Sequence, residues 1–162
     1  RIEPGKGVNE LFDYFISYKN LAGRDIQLVL AGKSQMEIPK HPDIRHLGFV
    51  SDEDKFNVIA GAELLVNPSW FESFSIAIME AWSLGIPVLV NGLCDVMAGQ
   101  CARSNGGLWY ENHEEFHLCL DWLLNNNVLA RKIGLQGKDY VIKNYSWEAV
   151  EQRYISFLDR FI

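Results

Sequence analysis

Four short apolar runs, separated by helical patterns, restrict what this chain can fold into. "IQLVLAG" (26 to 32), "DIRHLGFV" (43 to 50), "AELLVNP" (62 to 68) and "GIPVLVNG" (85 to 92) are rich in aliphatic residues and carry Gly or Pro at or near their ends. Near-continuous apolar runs of this length read as strands buried on both faces. Around them, residues 7 to 21 place Leu11, Phe12, Phe15 and Ile16 on one side of a helix. Residues 52 to 61 follow Ser51 as a cap, and residues 74 to 84 make a third helix. Strand, helix and strand joined by short loops imply right-handed βαβ units. The expected class is therefore α/β, a Rossmann-like doubly wound parallel sheet flanked by helices.

Beyond residue 108 the pattern turns helical. "ENHEEFHLCLDWLLNN" has an apolar face of Phe116, Cys119, Leu120 and Leu123, residues 128 to 143 continue as a helix, and Ser146 caps a last one with Trp147, Val150, Tyr154 and Phe157 in one stripe. Residues 1 to 7 look like the loop after a strand, yet no strand precedes them, so the sheet would lack its first, usually central, member. With Arg1 in place of an initiator Met, the expectation is one domain, residues 1 to 162, cut from a longer two-domain chain.

A chain of 162 residues buries about two thirds of its unfolded surface and needs neither metal nor disulfide to fold. Its 15 basic and 21 acidic residues leave a net charge of -6, which argues against nucleic acid as a partner. No apolar run approaches the ~20 residues of a membrane span, and the start lacks a signal-peptide layout. Cys94, Cys101 and Cys119 form no CxxC pair and are odd in number, which points to reduced thiols and a cytoplasmic setting. "HEEFH" (113 to 117) satisfies the H-E-x-x-H zinc signature. It lacks a downstream third ligand, and Asn112 followed by Glu114 and Glu115 reads as an ordinary helix start. His41 and His46 belong to no constellation.

Glu72 and Glu80 stand eight positions apart in "WFESFSIAIMEAWSLGIPVLV", among apolar neighbours that make an ionised carboxylate costly unless something pairs with it. With Ser73 as N-cap and a helix from Phe74, the free amides of Phe74, Ser75 and Ile76 would lie between the two acids and attract a phosphate. A carboxylate accepts two hydrogen bonds from a vicinal diol. Two acids about 10 Å apart along a helix, flanking an anion site, match a molecule with a diol at each end and phosphates between, the layout of a nucleoside diphosphate sugar. Spacing alone leaves open a solvated loop acid and a salt-bridged helix acid.

"NPSWFESFSIAIMEAWSLGIPV" resembles the E-x7-E region of the retaining glycosyltransferases of family 4, which have the two-domain GT-B fold. One departure is Ser75, where that family usually has Gly. "RIEPGKG" is similar to the family's R-x4-K-G loop, and "LVLAG", "GFVSDEDK", "GGLWY" and "NYSWEAV" follow in family order. The resemblance covers nearly the whole chain and implies the C-terminal, donor-binding half of such an enzyme, transferring a sugar from a UDP- or GDP-sugar to a glycan or lipid-linked acceptor.

In that picture Arg1 and Lys6 grip the diphosphate, Glu72 orients the sugar, and Glu80 holds the ribose. Phe74, Ser75 and Ile76 present the helix terminus, and Val50 offers its backbone to the base, with Asp52 or Lys55 beside it. An Asp there suits guanine better than uracil. No cofactor or metal is expected, since Arg and Lys supply the positive charge. The acceptor and any peripheral membrane contact fall to the missing half, and the fragment alone is expected to bind weakly and transfer nothing. Two alternatives remain: a sugar-nucleotide epimerase of GT-B fold, and a non-catalytic flavodoxin-like interaction domain whose acids share no cleft.

Overall fold

The computed structural model describes residues 1–161. The four expected strands are present, each shorter than its apolar run: β1 (Leu28–Leu30), β2 (Ile44–His46), β3 (Leu65–Asn67) and β4 (Val88–Asn91). Helix α1 (Val8–Ala22) precedes β1, with a short 3-10 turn at Pro4–Lys6 before it, α2 (Asp52–Ala60) lies between β2 and β3, and α3 (Ile76–Ser83) lies between β3 and β4. Two further elements, α4 (Asp95–Ser104) and β5 (Gly107–Tyr110), follow β4. The sequence reading missed both. α4 buries Gln100 and Ser104 beside Met97 and Cys101, so no continuous apolar stripe marks it, and β5 starts on a glycine and exposes Trp109, so no buried aliphatic run marks it. Last come α5 (His113–Asn125), α6 (Asn127–Tyr145) and α7 (Trp147–Leu158).

Three caps fall where local chemistry places them. Ser51 accepts from the Asp54 amide, Asn112 from the Glu115 amide and Ser146 from the Ala149 amide. Each satisfies one orphan donor of a helix start, a contribution of about 1 kcal/mol.

All strand pairs are parallel. β1 pairs with β2, Leu28 opposite Ile44, while β3, β4 and β5 form a second ladder with Leu65 opposite Val88 and Val88 opposite Gly107. β4 is the buried centre. Val88 and Val90 pack with Ile78, Trp82 and Met97 of α3 and α4, and Leu89 packs on the opposite face with Phe116 and Leu120 of α5, as the period of two requires. The expectation of burial on both faces holds for β4 and fails for β1, where Val29 is 41% exposed. Val29 faces a groove of about 860 Å³ that separates β1 from β3. The two ladders are not hydrogen-bonded to each other.

Helix α1 covers one face through Phe12 and Phe15, which pack with Ile44. α7 packs on α6, and its apolar stripe points outward, with Trp147 85% exposed and Tyr154 and Phe157 also exposed. Among the described residues no helix is long and apolar enough to cross a membrane. Cys94, Cys101 and Cys119 are free thiols. Burial pushes Cys101 up to about 12 and raises Cys119, assisted there by Glu115, so both are poor nucleophiles.

Candidate functional site

The loop from Arg1 to Gly7 is brought against the end of β3 by Gly7. Its φ is +68°, and a Cβ there would stand 2.1 Å from the Pro68 carbonyl oxygen, so no side chain fits. That approach carries Lys6 to Glu72, whose Oε1 accepts from Lys6 Nζ at 2.9 Å across 66 positions of sequence. The Lys6 side chain is 36% exposed and that of Glu72 18%. A pair so placed contributes at most about 1 kcal/mol to folding. Both charges remain within reach of the groove, which they line.

Glu80 is the second acid. It projects from α3 toward α2, and its Oε1 accepts from Lys55 Nζ at 2.8 Å. Lys55 also donates to Asp52 Oδ1 at 2.9 Å, one turn back on α2. Its pKa is raised, first by the bond to Glu80 and then by that to Asp52, so it stays charged throughout the neutral range. The spacing of Asp52 and Lys55 signals only the helix pair. The contact with Glu80 depends on how α2 packs on α3 and could not be read from the sequence.

The expected helix start needs correction. α3 begins at Ile76, not Phe74, and its N-cap is Ser75, not Ser73. Tertiary hydrogen bonds outweigh the local capping signal: Gln100, buried on α4, donates to the Phe74 carbonyl at 2.8 Å, and Asn67 at the end of β3 donates to Ser75 Oγ at 2.8 Å. These hold Phe74 in the loop, its ring against Tyr145, and fix Ser75 at φ +58°. The free amides of the helix start are those from Ile76 onward. Gln100 and Asn67 thus shape the site, and no sequence signal singled them out.

A residue with a Cβ costs about 1 kcal/mol in the left-handed region, where the resembled family's Gly would sit free of strain. Ser75→Gly relieves that cost while leaving Asn67 without its acceptor, and the two effects nearly offset. Ser75→Ala keeps the strain and loses the bond. Urea denaturation should show Ser75→Ala destabilised by about 1–2 kcal/mol and Ser75→Gly close to the parent; equal losses would contradict the strain.

Arg1, Lys6, Glu72, Ser75, Ile76 and Glu80 therefore line one groove, and Lys55 joins them. Val50, next to the Ser51 cap, and Phe74 do not line it. His113 and His117 turn to α1: their rings are 4.1 Å apart, and His117 Nε2 lies 3.0 Å from the Tyr14 carbonyl oxygen. Among the described residues no group of three His, Cys, Asp or Glu side chains is arranged to hold a metal ion.

Residues 1–140 match the family described as "Glycosyl transferases group 1". An MMP alpha-(1->4)-mannosyltransferase from Mycolicibacterium hassiacum is 27% identical over 173 aligned positions, which take in 98% of this chain and 41% of that protein. The chain spans less than half the length of the curated relatives it matches. In fold it is similar to HepE from Anabaena, solved in complex with UDP, with a TM-score of 0.80, 16% identity, and coverage of 99% of this chain and 47% of that one. It is also similar to the C-terminal domain of the group 1 glycosyl transferase LpcC from Francisella tularensis, with a TM-score of 0.74, 19% identity, and coverage of 91% and 83%. These likenesses carry the α/β fold of a GT-B glycosyltransferase half, and with the sequence match over residues 1–140 they establish that the chain belongs to the group 1 glycosyl transferase family.

Proposed function

We propose that this chain is the donor-binding half of a retaining glycosyltransferase of family 4, working within a longer two-domain protein that moves a hexose from a nucleoside diphosphate sugar to a glycan or lipid-linked acceptor. The observation that carries the reading is the convergence of Lys6–Glu72 and Lys55–Glu80 on one groove, at the N-terminus of α3. A diphosphate placed there meets Arg1, Lys6 and the partial positive charge of the helix terminus. When the sugar leaves, negative charge grows on the diphosphate, and fixed cations and dipoles stabilise it without reorganising. Glu72 orients the sugar and Glu80 the ribose, so the catalytic contribution is positional and electrostatic.

A non-catalytic interaction domain would leave the acids paired but on separate surfaces, whereas a shared groove favours the transferase. UDP in the complex of HepE supports a uridine nucleotide; Asp52, a residue type that suits guanine, is paired with Lys55 and does not line the groove. Isothermal titration with UDP, GDP and ADP tests the reading. The expected result is weak binding of at least one diphosphate and its loss, about tenfold or more, in Glu80→Ala; equal heats from parent and variant would reject the site.

A further inference from the structure

The inner side of α6 fixes how that helix is turned. Its buried residues are Ala130, Gly134 and Gly137. A Cβ on Gly134 would stand 2.0 Å from the Gly85 carbonyl oxygen, and one on Gly137 would stand 2.2 Å from Trp82 Cδ1. The helix cannot rotate on its axis without bringing a larger side chain into those contacts, so its outer side stays in solvent. At about 100° per residue that side carries Val128, Leu135 and Ile142 in one line about 20 Å long. Val128 is 83% exposed, and Leu135 and Ile142 are each more than half exposed. Arg131 and Lys138 flank the line on one side, Lys132 and Lys143 on the other. None of these four cations takes part in an ion pair among the described residues. Four bases against one acid, Asp139, give the face a charge of +3 in a chain of net charge -6.

Aliphatic side chains in a row between basic ones suit one kind of partner. Nucleic acid would answer the cations and leave the aliphatic row against water, and an apolar protein groove would bury the cations at a cost. An anionic bilayer answers both, since headgroup phosphates take the guanidinium and ammonium groups while the aliphatic tips reach the acyl boundary. α7 presents a wider apolar stripe, yet from Glu148 to Arg160 it sets three acids against two arginines, which an anionic surface repels. We propose that the outer face of α6 rests on an anionic phospholipid bilayer, with Val128, Leu135 and Ile142 between headgroups held by Arg131, Lys132, Lys138 and Lys143. The acidic remainder of the chain is repelled by such a surface, so the approach is steered through this face. The contact lies on this chain, whereas the family resemblance left it to the missing half, and it does not depend on what the groove binds.

Co-sedimentation with vesicles tests this, using phosphatidylcholine alone and phosphatidylcholine with about one third phosphatidylglycerol as the anionic lipid. The parent should bind the anionic vesicles at least about tenfold more strongly than the neutral ones and lose that preference as salt rises. Each cation near an anionic leaflet is worth about fivefold in partitioning, so Arg131→Gln/Lys132→Gln should bind about 10- to 25-fold more weakly. Val128→Ser/Ile142→Ser should bind about threefold or more weakly, and Trp147→Ser on α7 within about twofold of the parent. Thermal melts check that each variant is folded. No preference for anionic vesicles, parent-like binding by either double variant, or a loss in Trp147→Ser as large as theirs would overturn the proposal. So would a parent that dimerises in sedimentation velocity and becomes monomeric in Val128→Ser/Ile142→Ser, since the stripe would then be a face between two copies.

Discussion

Lys6→Met should weaken binding of UDP or GDP about 10- to 100-fold while leaving uridine or guanosine within about twofold of the parent. The range follows from one charge-assisted contact to phosphate, about 1.5–3 kcal/mol. Two effects add. The ammonium that meets the diphosphate is gone, and Glu72, whose Oε1 it held at 2.9 Å, is left as an uncompensated negative charge beside the anion. Lys6→Met/Glu72→Gln removes that second effect and should recover part of the affinity, so the double variant binds more tightly than Lys6→Met alone. Folding should barely change, because a pair this exposed contributes at most about 1 kcal/mol. Titration at two salt concentrations separates the charge from the shape: the parent loses affinity as salt rises, and Lys6→Met loses less. Equal losses for nucleoside and diphosphate would place Lys6 outside the phosphate site.

How far the sequence foretold this arrangement depends on what each element is made of. β4 was legible because three of its four positions are apolar and all four are buried. α2, α5 and α7 were legible at their starts because Ser51, Asn112 and Ser146 act through local hydrogen bonds. α4 was hidden because half of its buried positions are polar. The start of α3 was misplaced because Ser73 satisfies a local rule, while contacts from Asn67 and Gln100, up to 26 positions away, decide the outcome. The same distinction governs the site. Arg1, Lys6, Glu72 and Glu80 could be picked out by residue type and spacing, but spacing along a chain does not say that each acid is held by its own lysine. Those pairings depend on the packing of α2 on α3 and on the tight approach of Gly7 to Pro68.

Trp82→Ala should destabilise the fold by about 3–5 kcal/mol, the usual range for deleting a buried aromatic, and should weaken nucleotide binding even in the molecules that remain folded. Trp82 is fully buried, and its indole N–H donates to the Gly106 carbonyl at 2.8 Å. α6 comes against it only because Gly137 has no side chain: a Cβ there would stand 2.2 Å from Trp82 Cδ1. A second close approach lies one turn earlier, where a Cβ on Gly134 would stand 2.0 Å from the Gly85 carbonyl oxygen just past α3. Gly137→Ala is thus the complementary test, overpacking where Trp82→Ala opens a void, and should cost about 1–3 kcal/mol. The link to function is that Trp82 lies two residues beyond Glu80 on α3, a helix of eight residues. A shift of α3 against α6 would move Glu80 away from Lys55 and turn the helix terminus from the groove. Gly137→Ala should therefore lose affinity for the diphosphate in step with stability, whereas Lys6→Met loses affinity with stability intact. A Gly137→Ala protein that binds like the parent despite a lower melting temperature would show that the groove does not depend on how α3 is clamped.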